Sequence, residues 1–221
     1  MPKIAPFEKF SDEYDRWFDE HPDLYEVELA VIRRLLPPAG AIGLEVGVGS
    51  GKFAVPLGVK IGVEPSAAMA GKARSQGIDV HPGVAEKLPF ADGLFDFVLM
   101  VTTICFVDDV TASCREAWRV LKAGGSIIVG FVDRESELGR HYSEKKESSR
   151  FYREATFFSV AEVRQCLEKA GFVVTKGLQA LIPGKKPETI WAGSGKGAFV
   201  AIKGRKMMVD GAGSDASSEM G

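Results

Sequence analysis

The stretch LEVGVGSGKF, Leu44 to Phe53, constrains this chain more than any other part of it. An apolar run ends on Glu45-Val46 and passes into glycines at positions 47, 49 and 51. A strand that ends in a Gly-rich turn and enters a helix sets backbone N–H groups and the helix dipole beside a ligand, which is how several α/β ligand-binding folds begin. The rest of the chain has to say whether such a fold is present and which ligand the turn serves.

Short β-rich apolar runs alternate with helical patterns on both sides of this turn. The spacing predicts strands at Ile42 to Val46, Val59 to Val63, Phe95 to Met100, Ser126 to Val132, Phe172 to Lys176 and near Ala198 to Ile202. Runs nearly continuous in Val, Ile, Leu and Phe are expected where helices cover both faces of a mostly parallel sheet. Ser113 to Leu121 reads as a helix stopped at Gly124. Ser159 reads as the N-cap of another, with Glu162 as its capping-box partner and Gly171 as its stop. The expected fold class is α/β.

Three segments fall outside the alternation. In residues 1–38 the aromatics Phe7, Phe10, Tyr14, Trp17 and Phe18, then Leu24, Val27, Val31 and Leu35, recur at helical spacing and predict a helical cap. Residues 133–158 form a polar, helical-looking insert with six basic and six acidic side chains. Residues 205–221, rich in Gly, Ser, Asp and Met, read as a disordered tail. Residues 1–204 are then expected to be one domain.

Spacing excludes two nucleotide loops. A P-loop needs G-x-x-x-x-G-K-[ST], but the position five before Gly51 is Val46, and Phe53 follows Lys52, leaving no hydroxyl for magnesium. The dinucleotide fingerprint G-x-G-x-x-G, tried from Gly47, puts Lys52 where a small residue must pack helix on strand. Charge narrows the partners too. With 28 Lys+Arg against 30 Asp+Glu, the net charge of -2 makes no global field for nucleic acid or an anionic membrane. Cys105, Cys114 and Cys166 form no C-x-x-C pair and have no histidine at ligand spacing, so no metal site is expected. The unpaired thiols, with no apolar run of membrane-spanning length, fit a protein of the reducing cytoplasm.

What remains, Glu45-x-Gly47-x-Gly49-x-Gly51, resembles the first motif of the class I S-adenosylmethionine-dependent methyltransferases. The likeness continues for about 90 residues. Glu64, in IGVEPS, ends the next strand 19 residues after Glu45. AEKLPFADGLFDFVLM is similar to the family's approach to its fourth strand, and EAWRVLKAGGSIIVG to its helix, Gly-Gly turn and fifth strand. The nearest group it resembles is the type 11 small-molecule methyltransferases. The resemblance implies a Rossmann-like, mostly parallel seven-stranded sheet with an antiparallel last strand. It also implies S-adenosylmethionine as cofactor, S-adenosylhomocysteine as product and a small-molecule acceptor.

Residue by residue, it implies that Gly47, Gly49 and Gly51 give access to the methionine end and that Glu45 and Glu64 bind, Glu64 through both ribose hydroxyls. Pro65, Ala85, Glu86 and Leu88 would lie near adenine, Val101, Thr102 and Phe106 would floor the site, and Tyr14 would close over it. Two departures stand out. Val84 occupies the place of an acid that relatives use for the adenine amino group, and TTICFVDD replaces a turn that often holds histidine.

For the acceptor, Trp17, Arg140, Arg150 and Tyr152 are the candidates, with His141 and Tyr142 as candidates for proton transfer. No catalytic base is assigned, since a sulfonium carries its own leaving-group activation and leaves the protein to align the atoms and exclude water. A nucleic-acid methyltransferase, a non-catalytic cofactor-binding regulator and a nicotinamide dehydrogenase are the rival readings. Neither the acceptor nor the oligomeric state is legible.

Overall fold

The computed structural model describes residues 3–180 and 190–207. Among the described residues, eight strands form one sheet in the order β3-β2-β1-β4-β5-β8-β6-β7. They are β1 (Gly43–Val46), β2 (Ile61–Val63), β3 (Asp79–His81), β4 (Phe95–Val101), β5 (Leu121–Val132), β6 (Phe172–Ala180), β7 (Ile190–Ala192) and β8 (Phe199–Lys206). The first five pair in parallel, and β8 enters antiparallel between β5 and β6. The sheet therefore has one strand more than the expected seven. The extra one is β7, a three-residue antiparallel edge on β6.

Three helices precede the sheet, α1 (Ala5–Lys9), α2 (Ser11–Glu20) and α3 (Pro22–Arg33). Within and after the sheet come α4 (Ala54–Leu57), α5 (Ala67–Ser75), α6 (Val110–Val120), α7 (Glu137–Lys145) and α8 (Val160–Lys169). Two apolar cores result, one on each face. Val31, Ile32 and Leu35 of α3 and its connection pack with Leu99 and Ile128, while Cys114, Ala117 and Val120 of α6 and Val163 and Leu167 of α8 pack with Val98, Met100 and Ile127. This two-sided burial explains why the central strands carry no polar alternation.

The capping box at Ser159 and Glu162 forms as the spacing predicts, and Gly171, at φ 97°, follows the helix. Gly124 does something else. Helix α6 begins at the Asp109 cap and ends at Val120, four residues before Gly124, and the chain enters β5 at once. Phe95 pairs with Leu121 but Phe97 with Ser126, so Gly124, at φ 76°, lies in a bulge that takes up the extra residues. At the other end, β8 continues through Arg205 and Lys206, past the point where the periodicity fades. The remainder of the tail lies outside the described residues.

Candidate active site

The loops leaving the carboxyl ends of β1, β2 and β4 meet where α1 and α2 cross them, and a cavity opens there. It is lined by Tyr14, Glu45, Gly47, Gly49, Glu64, Pro65, Ala85, Glu86, Val101, Thr102 and Phe106 among others. Gly51 and Leu88 are not in its wall. A Cβ on Gly51 would stand 2.7 Å from Ile78 Cδ1, so this glycine lets the turn pack on α5 and its outgoing chain. Leu88 is buried in the core, its N–H donating to Glu116 Oε2 at 2.8 Å.

The glycines supply room and left-handed backbone rather than free donors. Gly47 N–H donates to Val63 O at 2.8 Å, Gly49 N–H to Glu64 Oε2 at 2.9 Å and Gly51 N–H to Val48 O at 2.9 Å. Gly47, at φ 70°, could not carry a side chain, because its Cβ would lie 2.5 Å from Thr103 Cγ2. Among the described residues the carbonyls of Gly47 and Gly49 accept no hydrogen bond. The Oε2 atom of Glu45, a residue 2 % exposed, is likewise buried without a partner. Burial first, and the nearby Glu64 second, push the Glu45 carboxyl well above its ordinary range.

Glu64 is buried at the end of β2, with Oε1 accepting from Ser66 N at 2.9 Å and Oε2 from Gly49 N. Burial raises its pKa against the pull of those two amides. Each oxygen keeps a second lone pair, the disposition needed to take two hydroxyls. Glu86 also faces the cavity, but its Oε1 accepts from Asp108 N at 2.7 Å and Asp109 N at 3.2 Å, which ties the start of α6 to the wall. Thr102, the one non-glycine at positive φ among the described residues (51°), turns the chain sharply out of β4.

The cap is sewn down over this cavity by polar bridges. Ser66 Oγ donates to Glu8, Lys72 Nζ reaches Asp12 at 2.6 Å and Asp15 at 2.8 Å, and Ser50 Oγ donates to Asp15. Lys3, Ile4 and Phe7 join the wall as a result. None of these was singled out as a site residue from the sequence, where Phe7 reads as one of several core aromatics.

Beyond Tyr14, Phe18 and Thr102, which face both, lies a second cavity of about 390 Å³. Trp17, Tyr142, Phe151, Tyr152 and Phe199 make it a ring-lined space, with Glu28 and the rim pair Glu13 and Arg150 as polar members. The Tyr142 and Tyr152 rings stack at 5.3 Å, and Tyr152 stacks on Phe106 at 6.2 Å, so one aromatic wall separates the two spaces. Burial pushes the Tyr14, Tyr142 and Tyr152 hydroxyls up, so they are protonated donors at neutral pH. Arg140 and His141, expected on the acceptor side, line neither cavity. Both are exposed on α7, and the Arg140 guanidinium turns back to the Glu135 carbonyl. Glu28 went unnoticed, although a carboxylate in the apolar stripe Leu24, Val27, Val31, Leu35 is an anomaly visible in the sequence.

The first cavity fits a nucleoside carrying a cationic amino-acid end. Glu45 Oε2 and two unpartnered carbonyls belong to residues of one end, the paired oxygens of Glu64 stand at the middle, and Pro65, Val84 and Ala85 make an apolar far side. Comparisons with known proteins agree with this. The family described as "Methyltransferase domain" matches residues 44–129. A crystal structure from Thermotoga maritima, of a SAM-dependent methyltransferase called a "possible histamine N-methyltransferase", is 51% identical with TM-score 0.87, covering 92% of this chain and 99% of that one. An uncharacterized protein of Methanocaldococcus jannaschii is 43% identical over 91% of this chain and 98% of its own length. A demethylmenaquinone methyltransferase of Roseiflexus is 37% identical over 41% of this chain and 42% of its own. None of the described helices is long and apolar enough to cross a membrane. With a relative matched along nearly its whole length and the family's motif region covered, the chain belongs to the S-adenosylmethionine-dependent methyltransferases.

Proposed function

We propose that this enzyme methylates a small molecule held in the ring-lined second cavity. The observation that carries this reading is the adjacency of two spaces of different character, one with the glycine turn and Glu64, the other with aromatic rings, sharing Tyr14, Phe18 and Thr102. The bound cofactor supplies an activated methyl group on a sulfonium. The chain's own tasks are then to bind, align and keep water out.

In this reading Glu45 and the carbonyls of Gly47 and Gly49 hold the ammonium of the methionine end, and Glu64 holds the ribose hydroxyls. Pro65, Val84, Ala85 and Glu86 surround adenine, and Val101, Thr102 and Phe106 form the floor. Tyr14 closes the cofactor from the cap, and Trp17, Tyr142 and Tyr152 bracket the acceptor. Two relatives are described with small-molecule acceptors, one as a "possible histamine N-methyltransferase" and the other as a demethylmenaquinone methyltransferase. The second cavity offers no basic track for a nucleic-acid strand, since Arg150 is its one Lys or Arg among the described lining residues.

The test is a screen of small amines, phenols and thiols, with RNA and DNA alongside, for release of S-adenosylhomocysteine. A small-molecule acceptor whose KM rises at least tenfold on Trp17→Ala, with cofactor affinity unchanged, supports the reading. Methylation of nucleic acid alone would sink it.

A further inference from the structure

The second cavity contains one group that methyl alignment does not explain. Glu28 projects from α3, in the middle of a helix whose other inward residues, Val27, Val31 and Ile32, are buried apolar side chains. It lines the cavity, and among the described residues its carboxylate makes no hydrogen bond and no ion pair, burial alone setting its proton affinity. It is half-buried. An unpaired carboxylate set among apolar residues costs stability. A chain gains from such a group only if a ligand completes it.

The surroundings say which ligand. Three carboxylates, Glu13, Glu20 and Glu28, line this space against one cation, Arg150, and that guanidinium is occupied by Glu13 and by the Phe10 ring 4.3 Å away. Much of the remaining wall is aromatic, set among aliphatic side chains, and the negative faces of such rings favour a cation that has shed its water. Tyr14, Tyr142 and Tyr152 line the same cavity as Glu28, so their rings share the space it faces. We infer that Glu28 is the acceptor-anchoring residue and that the acceptor is a small ring-bearing amine, bound as its cation between Glu28 and the aromatic wall. This rests on the reading of the second cavity as the acceptor site.

Glu28 also gives the nitrogen's proton a destination. The proton passes from the acceptor ammonium to the Glu28 carboxylate, leaving a neutral acid and a nitrogen lone pair. That lone pair forms the N–C bond while the C–S bonding pair stays on sulfur. Burial pushes Glu28 up to about 8 in the empty cavity, so it takes up a proton more readily than an ordinary carboxylate. A carboxylate at its ordinary pKa would be a far poorer acceptor for that proton.

The experiment is calorimetric titration of protein saturated with S-adenosylhomocysteine, using 2-phenylethylamine and histamine against the uncharged isostere 2-phenylethanol. An amine is expected to bind at least tenfold more tightly than the alcohol. Glu28→Gln should abolish that preference, with S-adenosylhomocysteine affinity unchanged and no loss of melting temperature. Glu26→Gln, on the exposed side of the same helix, should keep it. An amine preference that survives Glu28→Gln, or equal binding of amine and alcohol by the wild type, overturns the inference. Equal binding that still weakens on Trp17→Ala would leave the cavity as an acceptor site. Absence of binding by every probe would remove both.

Discussion

The two cavities are neighbours, yet they are built in opposite ways. Most of the first cavity comes from the edge of the sheet: the turn after β1, the acid ending β2 and the exits of β3 and β4. Its shape depends on backbone path and on the absence of side chains. The second cavity is assembled by side chains from α2, α3, the residues 138–152 region and the start of β8, segments far apart in sequence. A site made of backbone turns tolerates little change at a few positions, whereas a site made of rings on helices can be re-lined one residue at a time. This difference suits a family in which the methyl donor is constant and the acceptor varies.

The largest expected effect tests the backbone half of that contrast. Gly47→Ala puts a methyl group 2.5 Å from Thr103 Cγ2 at a φ of 70°, so the loop must move. Cofactor affinity should fall at least a hundredfold in calorimetry, while Gly40→Ala, also at positive φ but with nothing within 4 Å of its Cβ, should leave it unchanged. Retention of affinity by Gly47→Ala would mean that the turn is as adaptable as the rings. Next in size is Glu64→Ala, which removes the carboxylate bridging Gly49 and Ser66. A loss of about 1.5 to 3 kcal/mol is expected, the scale of hydrogen bonds to a charged group. Unchanged affinity would take Glu64 out of the cofactor site.

The same contrast explains what could be read before the structure. Glu45, the glycines and Glu64 are spaced by the geometry of a strand, a turn and a crossover, so their positions are legible as a pattern. Gly51 and Leu88 belong to the pattern but pack into the fold, because a motif position records a backbone constraint and not which surface the residue faces. Strands β3 and β7 are three residues each and lack the longer apolar run, Val59 to Val63, that made the equally short β2 legible. The bulge at Gly124 was hidden because a glycine at positive φ ends a helix and opens a bulge equally well. On the acceptor side, Arg140 and His141 share a helix with Tyr142, and composition alone cannot tell which face is turned inward.

Glu28 offers a stability test that is sharper than any activity assay. Its pKa is about 8 in the folded protein against an ordinary 4.5, so the folded state holds the proton more tightly. Its contribution is therefore intact below about pH 4.5 and is lost as the pH rises through 8. Gln imitates the protonated acid throughout. Glu28→Gln should melt with wild type near pH 4 and at least about 3 °C above it at pH 8.5, since each kcal/mol is worth roughly 2–4 °C at this size. Coincident melting curves at both pH values would show that Glu28 is solvated, and the acceptor side would lose its one polar anchor of that kind.

The smallest effect asks whether the rim belongs to the acceptor side alone. Arg150 pairs with Glu13 across an exposed surface, both side chains being near half exposed, so the pair is worth no more than about 1 kcal/mol. Arg150→Ala should lower the melting temperature by less than about 4 °C and leave cofactor affinity unchanged. Its influence on the acceptor has a definite sign: removing the cavity's one described cation and freeing Glu13 makes the entrance more negative, so amine affinity should rise two- to threefold at low salt and return toward wild type as salt screens the rim. An amine KM that instead climbs severalfold would assign Arg150 to direct acceptor contact, with an anionic group on the ligand. A fall in cofactor affinity comparable to that of Glu64→Ala would show that the two cavities act as one, because the cap carrying Glu13 also carries Asp12 and Asp15, which hold Lys72 beside the cofactor wall.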